Sequence, residues 1–510
     1  MRVATQPAPA ARVHESDWGL AALPGLVVAR VGAQRLHALT ASALFMVAVA
    51  LYAANRSPSL DDWDSINFAK AVVRFSVADQ QPHPPGYPAY VLLASIVNLF
   101  MHDPLTSLTL LSALTGAAGV AFLYLLAADL GAPWLALPLA TMPLYWLNSE
   151  MALSDIPGLA FAIAAVWLLQ RAATPGRTTY LLAGCATAGL CAGVRPQVAV
   201  VPLAVLALYM APPLLKAGHW RGLLAGLGTL AAACLAWAIP LALSLVGTPD
   251  PLSPFKAQAR YVRAADSLLG QPLSWPGVEE RVAEFGSILS GYFGGPAQGG
   301  IVAFWLLAAL AVALMVVSWR TRAAKLAAIW LLAYGILMIL VMQPGDPRKA
   351  LPAVPPLLLL LGAALATRRG PARRRAGLII GLALTGFFMM KAVPLVHELV
   401  HVPAPPEQAA AYIEANFSPD DTLILSETSA NHMQYRLPQF ASFGIDFIDD
   451  VELNQEIASR PYRRVIVLDR WQRPGMPPEF QPSEVALFQR DPAVLPKAAR
   501  VAFTVWEYRV

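Results

Sequence analysis

The segment 60–90, LDDWDSINFAKAVVRFSVADQQPHPPGYPAY, is polar and lies between two apolar runs, 36–54 and 88–101. It carries three carboxylates in four positions, Asp61, Asp62 and Asp64, and a His-Pro-Pro-Gly-Tyr-Pro sequence that begins at His83. Apolar runs of this kind are typical of membrane-spanning helices. The segment is therefore predicted to be the first loop of a membrane protein, with polar side chains held at the membrane surface.

The composition supports a membrane protein. The 510 residues are 57% hydrophobic and only 14% charged, whereas a soluble domain is usually about a quarter charged. Lys and Arg cluster in short loops and the net charge is only +5, so a nucleic-acid partner is not predicted. The three cysteines all fall in apolar runs, which indicates buried packing rather than disulfides or zinc. The predicted fold is an all-α polytopic membrane protein.

Basic loops predict the topology. Arg30 and Arg35 precede the first apolar run, so the N-terminus is placed in the cytoplasm together with four other basic connections, Arg171–Arg177, Lys216–Arg221, Arg320–Lys325 and Arg368–Arg375. The scheme is self-consistent from residue 156 onward. The chain has twelve apolar runs: 36–54, 88–101, 107–128, 131–148, 156–170, 178–194, 198–213, 222–246, 299–318, 323–342, 351–367 and 376–396.

The charge pattern demands an even number of crossings between loop 55–87 and Asp155, because both lie outside. Three apolar runs lie between them. Run 88–101 has 14 residues, which is short for a span and typical of a re-entrant or interfacial segment. Demoting it leaves about eleven spans and an outer C-terminal tail. The alternative is that two short runs merge or that one is tilted.

Three regions follow. Residues 1–36 are predicted to be a flexible cytoplasmic N-terminus, and residues 37–396 the membrane domain with outer loops 55–87 and 247–298. Residues 397–510 are predicted to form a small α/β outer domain, with a helix at Glu407–Asn416 and strands at Thr422–Leu425, Arg464–Asp469 and Ala499–Tyr508.

Ten ionisable residues lie at the predicted outer face, and ionisable groups at span ends suggest a functional site. They are Asp61, Asp62, Asp64, Asp79, His83, Asp155, Arg195, Asp346, Arg348 and Lys349. The alternative is that they are ordinary solvated loop charges. Their coincidence on one face favours a shared site.

Residues 62–75 are predicted to form an amphipathic surface helix, with Asp61, Asp64 and Asn67 on one stripe. A carboxylate on such a helix can act as a general base toward a hydroxyl or amine. The alternative is a helix cap, which explains Asp61 or Asp62 well and Asp64 less well.

The remaining polar residues suggest contacts with an anion. His83 can donate to a phosphate, and Arg348 with Lys349 can bind an anionic headgroup. The alternatives are that Tyr87 and Tyr90 are interfacial anchors, and that the cations make ordinary lipid-headgroup contacts.

This order of features resembles the GT-C superfamily of integral membrane glycosyltransferases, in particular the protein O-mannosyltransferase and aminoarabinose transferase branch. Asp64 matches the catalytic Asp of the family motif, with Ser65 in place of the usual Glu and Phe68 as the following aromatic residue. That departure leaves the choice between Asp62 and Asp64 open. His83-Pro84-Pro85 matches the motif that the family places near the lipid phosphate.

The resemblance extends to later positions. It matches Asp155, Arg195 and Arg348 to recurrent positions of the family. Together with the reading of the residues, the predicted donor phosphate and lipid site is His83, Arg195, Arg348 and Lys349, and the predicted substrate pocket is Tyr87 and Asp155. The resemblance covers the N-terminal half well, the later helices loosely, and the tail only as a small periplasmic domain.

The resemblance implies a multi-pass protein of the bacterial inner membrane, with its C-terminal domain in the periplasm. The implied activity is an inverting transfer of a sugar from a polyprenyl-phosphate donor, among membrane lipids, to an acceptor that the sequence does not identify. No cofactor or metal site is predicted, although Asp62-Trp63-Asp64 leaves a divalent cation open. A transporter or flippase, and a non-catalytic lipid-binding assembly protein, are the alternatives.

Overall fold

The structure is a computed structural model. It describes residues 22–173, 176–270, 274–292, 300–343, 345–366, 371–426, 429–444, 455, 462–468, 483–491 and 502–509. Its helices are α1 (Ala22–Ala54), α2 (Trp63–Val73), α3 (Pro88–Met101), α4 (Pro104–Asp129), α5 (Ala136–Thr141), α6 (Pro143–Asn148), α7 (Asp155–Ala172), α8 (Thr178–Val194), α9 (Pro196–Ala204), α10 (Ala211–Lys216), α11 (Trp220–Leu243), α12 (Ser253–Tyr261), α13 (Trp275–Tyr292), α14 (Gly300–Ser318), α15 (Arg322–Leu340), α16 (Val354–Ala366), α17 (Pro371–His401), α18 (Pro405–Asn416) and α19 (Ala430–Arg436). The strands are β1 (Thr422–Ser426), β2 (Ala441–Gly444), β3 (Arg464–Leu468), β4 (Ser483–Gln489) and β5 (Ala502–Arg509).

The membrane domain is a bundle of long apolar helices. Within the described ranges, nine helices are long and apolar enough to cross a membrane. Two more of the predicted spans are present in other forms. Helix α8 has 17 residues, and α5 with α6 forms a broken helix interrupted at Met142, before Pro143. Proline removes a backbone donor and clashes with the preceding turn, which explains the break.

Helix α3 does not cross the bundle. Its first turn packs on α2, where the rings of Tyr90 and Phe68 lie 4.7 Å apart. Just beyond its last turn, Leu105 packs against the same hydrophobic cluster, which includes Ile66 of α2. Both ends of α3 therefore lie at the same end of the bundle, which we call the site end.

The N-terminal expectation requires a correction. Helix α1 already begins at Ala22, so residues 22–36 are helical rather than flexible, while residues 1–21 lie outside the described part of the chain. Pro24 falls in the first turn of α1, where its missing N–H costs no hydrogen bond. The predicted outer loop 247–298 is also largely helical and contains α12 and α13.

In its described residues, the C-terminal domain contains a five-stranded mixed sheet in the order β2-β1-β3-β5-β4. Strands β2, β1 and β3 pair in parallel, and β5 runs antiparallel to both β3 and β4. Its core packs Ile413 of α18 and Met433 of α19 against Ile424 and Phe503 of the sheet. The predicted helix and the three predicted strands are all present, whereas β2 and β4 were not anticipated.

Candidate active site

Helix α2 carries the first two acidic residues of the site. Asp62 is the N-cap, and its Oδ1 accepts a hydrogen bond at 2.9 Å from the backbone N–H of Asp64. Most of α2, including Ile66 and Phe68, is buried, while Trp63 remains partly exposed. The cap fixes where the helix starts, so Asp64 occupies a defined place in its first turn.

Arg348 joins four carboxylates at the site end. Its Nη2 donates to Asp64 Oδ2 at 2.7 Å, and its Nε donates to Asp346 Oδ2 at 2.6 Å. Asp62 Oδ2 lies 3.6 Å from Nη2, and Asp155 Oδ2 lies 3.6 Å from Nη1. The guanidinium is buried, so these ion pairs are poorly screened by water.

Asp155 and Arg195 form a second ion pair behind Arg348. Arg195 Nη2 lies 2.8 Å from Asp155 Oδ1, and Arg195 Nη1 donates to Ser154 Oγ at 2.7 Å. Arg195 can approach this closely because residue 158 is glycine, since an added Cβ at Gly158 would lie 2.6 Å from Arg195 Cβ. A chain of opposite charges thus runs from α2 through Arg348 to α7 and the α8–α9 junction.

His83 and two tyrosines close the other side of Asp64. His83 Nδ1 lies 3.6 Å from Asp64 Oδ1. The ring of Phe68 meets Tyr87 and Tyr90 edge-on, at centroid distances of 5.2 and 4.7 Å. Both tyrosines are buried, so the alternative of interfacial anchors is wrong: their rings pack inside the protein.

The tight segment before α3 depends on Gly86. It adopts a φ of +94°, and a Cβ there would lie 2.8 Å from Val77 Cγ2. Tyr87 also has a positive φ, of 44°, which is uncommon for a residue with a side chain. The sequence His-Pro-Pro-Gly-Tyr-Pro therefore folds into a conformation that places His83 beside Asp64.

Lys349 is separate from the cluster around Arg348. Its side chain is directed to the exposed rim, where Nζ donates to the carbonyl of Gln343 at 2.8 Å. Its own carbonyl accepts a hydrogen bond from Tyr334 at 2.7 Å. Arg195 and Arg348, which are predicted at a donor phosphate, are paired with carboxylates, and their side chains are each 7% exposed. The His83 side chain is 15% exposed, and Lys349 makes its contact at the exposed surface.

Electrostatics set the protonation state of the central pair. Burial raises the pKa of Asp64, but Arg348, together with His83 and Arg195, outweighs that effect and holds the pKa below its usual value. Burial lowers the pKa of His83, an effect that Arg348 and Arg195 reinforce and that Asp64 opposes. Asp64 is therefore ionised and His83 neutral near pH 7.

Contacts between the C-terminal domain and α2 are not predicted by any pattern in the sequence. Asp61 pairs with Arg490, and Asn67 contacts Asn431. The capping role expected for Asp61 or Asp62 belongs to Asp62. The other outlying acid, Asp79, pairs with Arg74 at the exposed surface.

A large apolar cavity lies next to the site. Its volume is about 480 Å³, and it opens between α13, α14, α15 and α16. The lining includes Phe285, Phe304, Leu331, Tyr334, Ala353 and Leu357. Because Tyr334 also holds the carbonyl of Lys349, the cavity borders the segment that carries Arg348.

The acidic pair Asp62 and Asp64 is engaged by donors of the protein itself. Among the described residues, no three His, Cys, Asp or Glu side chains form a group that could hold a metal ion. Asp62 is engaged by a backbone N–H, and Asp64 by the guanidinium of Arg348. The Asp-x-Asp pair is thus held by the protein's own donors.

Part of the sequence matches a known protein family. Residues 82–243, less than half of the chain, match the family described as dolichyl-phosphate-mannose-protein mannosyltransferase. That range contains His83, Tyr87, Asp155 and Arg195 but neither Asp64 nor Arg348. No curated protein matches the sequence.

Solved structures resemble most of the chain. ArnT from Cupriavidus metallidurans, bound to undecaprenyl phosphate, superposes with a TM-score of 0.54 at 15% identity, covering 93% of this chain and 98% of that one. The apo state of the same protein superposes with a TM-score of 0.54 at 15% identity, and the match covers 94% of this chain and 98% of that one. AglB from Archaeoglobus fulgidus, in complex with an inhibitory peptide and a dolichol-phosphate, superposes with a TM-score of 0.47 at 12% identity. The match covers 85% of this chain and 69% of that one. The predicted fold, an all-α polytopic membrane protein with a small α/β C-terminal domain, is confirmed, and it is similar to the fold of ArnT.

Proposed function

We propose that this chain, which has the GT-C fold, is a membrane glycosyltransferase that moves a sugar from a polyprenyl-phosphate donor to an acceptor hydroxyl or amine. The observation that carries the proposal is the exposure of Asp64. Its side chain is 20% exposed, whereas Asp62 and Asp155 are each 4% and Asp346 is 1% exposed. Asp64 is the member of the carboxylate cluster that a substrate can reach.

Asp64 is assigned as the general base and Asp62 as the helix cap. Asp64 is ionised near neutral pH, because Arg348 lies 2.7 Å away, and so it can accept a proton. Its low pKa makes it a weak base, so proton transfer accompanies bond formation rather than preceding it. The acceptor proton becomes more acidic as the new bond to the sugar forms.

The reaction is a single displacement. The acceptor oxygen or nitrogen forms a bond to the anomeric carbon, and the bond from that carbon to the phosphate oxygen breaks. The bonding electrons leave with the phosphate, and the acceptor proton passes to Asp64. The products are the glycosylated acceptor and polyprenyl phosphate, with inversion at the anomeric carbon.

Two features fit a lipid-linked phosphate. The apolar cavity beside Tyr334 lies between membrane helices, and its apolar side chains can pack against isoprene units. At the site end, neutral His83 can donate a hydrogen bond to the leaving phosphate, and Lys349 supplies a positive charge at the rim. The similar ArnT structure contains undecaprenyl phosphate, which supports a donor of this class.

The proposed setting is the bacterial inner membrane, with the N-terminus in the cytoplasm and the site end facing the periplasm. The C-terminal domain lies at the site end, since its residues contact α2. The acceptor is therefore proposed to arrive from the periplasm. Surrounding membrane lipids are the other partners.

The test is transfer by purified protein in liposomes, with a panel of labelled polyprenyl-phosphate sugars and native membrane extract as the acceptor source. Release of polyprenyl phosphate is measured for the wild type, Asp64→Asn and Asp62→Asn. We expect Asp64→Asn to lose about 100- to 10,000-fold in rate, the usual contribution of a general base. Asp62→Asn is the matched control, because Asn caps a helix about as well as Asp.

Equal turnover by Asp64→Asn and wild type would refute the base assignment. Loss of activity in Asp62→Asn alone would reverse the two roles. If wild type released no polyprenyl phosphate from any donor but moved the lipid between leaflets, the flippase alternative would replace the transferase.

A further inference from the structure

A buried ion pair links the C-terminal domain to the residue that precedes α2. Arg490, which follows β4, donates from Nη1 to Asp61 Oδ1 at 2.6 Å, and both side chains are 1% exposed. Asp61 also accepts from Ser57 Oγ at 2.5 Å and from Ser59 Oγ at 3.1 Å. The carboxylate is thus fully engaged, as a buried charge must be.

The same network reaches the end of α17. Arg490 donates to the carbonyls of Val402 and Leu399, and the backbone N–H of Ala404 donates to Ser59 Oγ at 3.0 Å. Three chain segments therefore meet at one buried guanidinium: the α1–α2 loop, the end of the last long helix, and the end of β4.

A second contact from the C-terminal domain is made in the middle of α2. The side-chain amide of Asn431, on α19, is hydrogen bonded to that of Asn67 at 2.6 Å and also accepts from Lys70. Asn67 lies three residues after Asp64, so the two share a face of the helix. Helix α2 is held from the same domain at its start and in its middle.

Helix α2 needs such contacts to stay in place. It has only 11 residues, and isolated helices shorter than about 12 to 15 residues are marginal in water. Its position is therefore set by packing rather than by intrinsic helix propensity. Because Asp62 is the cap and Asp64 lies in the first turn, a shift of Asp61 moves the carboxylate that faces the substrate.

We propose that Arg490 is a positioning residue that, through Asp61 and with the help of Asn431, holds Asp64 beside Arg348 and His83. The C-terminal domain then acts as a brace for the catalytic helix. The catalytic part of this inference depends on the proposed role of Asp64, whereas the bracing of α2 does not.

The first experiment follows hydrogen–deuterium exchange of full-length protein in detergent for the wild type, Arg490→Gln and Arg464→Gln. Arg464 is the matched control, because its ion pair with Glu507 lies within the sheet domain and does not contact α2. We expect Arg490→Gln to raise exchange in α2 by about tenfold, with α4 and the sheet unchanged, and Arg464→Gln to leave α2 as in wild type. Unchanged exchange in α2, or an equal rise throughout the sheet domain, would overturn the inference.

The second experiment measures kcat and KM for Arg490→Gln, Arg490→Lys, Asp61→Asn and the double variant Asp61→Asn/Arg490→Gln. We expect kcat to fall about 10- to 100-fold in Arg490→Gln with little change in KM, because a misplaced reacting group costs rate in this range. Arg490→Lys should recover part of the loss. In the double variant, the second change should add little, because both act through one contact.

Additive losses in the double variant, or a normal kcat despite faster exchange in α2, would refute the positioning role. If wild type lacks transferase activity altogether, the exchange result still decides whether the domain braces α2. The two proposals therefore fail separately.

Discussion

Arg348 offers the sharpest test of how the site keeps its base ionised. In Arg348→Met, Asp64 keeps its burial but loses the positive charge that lies 2.7 Å away. Two unit charges with centres about 4 Å apart attract by about 4 kcal/mol at an effective permittivity of about 20, or about a thousandfold in proton affinity. The pKa of Asp64, now below its usual value, should rise, because the nearest positive charge is removed while the burial that raises the pKa remains.

The assay is the pH dependence of kcat/KM for donor turnover. With Asp64 as the proposed base, activity needs its ionised form and is lost as the pH falls through the pKa of that carboxyl. In the wild type this loss lies at strongly acidic pH. In Arg348→Met the acid limb should move up by about 3 pH units, into the mildly acidic range, while Arg348→Lys should lie between the two.

Stability needs a separate control, because removing one partner of a buried ion pair typically costs about 3–5 kcal/mol. Thermal unfolding in detergent identifies the temperature range in which each variant is folded, and rates are compared there. The double variant Asp64→Asn/Arg348→Met should show no acid limb. If Arg348→Met and wild type share one acid limb, Arg348 does not set the ionisation of the base.

Other predictions test the cavity, the close contact in the second ion pair, and the topology. Gly335→Phe should fill the apolar cavity, and steady-state assays should show a larger rise in KM for long-chain donors than for short-chain ones. The control is Gly228→Phe, the same change at an exposed position on α11, which should leave both KM values unchanged. Gly158→Ala should lower kcat and destabilise by about 1–3 kcal/mol in thermal unfolding, because the new Cβ meets Arg195; an unchanged kcat would contradict this. A reporter that is active only in the periplasm should be active when fused after Val510, and an inactive fusion would contradict the predicted periplasmic position of the C-terminal domain.

The sequence predicted which residues gather but not how they pair. Charge parity placed Asp64, Asp155, Arg195 and Arg348 on one face, and the structure brings them into one cluster. Asp64 and Arg348 are 284 residues apart, and no local pattern specifies that they meet. The charge pattern of the loops therefore identifies the face on which these residues lie, whereas the ion pairs between them depend on how the helices pack.

Short-range choices were also ambiguous for a physical reason. Asp61 and Asp62 are equally good caps by residue type, so the sequence could not choose between them. The choice is made by Arg490, 429 residues away, which takes Asp61 for an ion pair and leaves Asp62 at the helix start. Tertiary contacts thus decided a local boundary.

The demotion of α3 shows what the sequence can establish when two independent signals agree. Its 14-residue length argued against a span, and the charge pattern on either side required an even number of crossings. Neither signal depends on the contacts of α3 itself. In the structure, both ends of the helix pack at the site end, next to α2.

The charge balance of the cluster constrains the roles of its cations. Arg348 directs Nε, Nη1 and Nη2 toward carboxylates, and Arg195 is paired with Asp155. In the proposed reaction, a guanidinium already paired in this way stabilises the base rather than a departing phosphate. Charge that develops on the leaving group is then met by His83 and Lys349. The proposed site thus separates two tasks: the buried arginines keep Asp64 ionised, and His83 and Lys349 receive the phosphate.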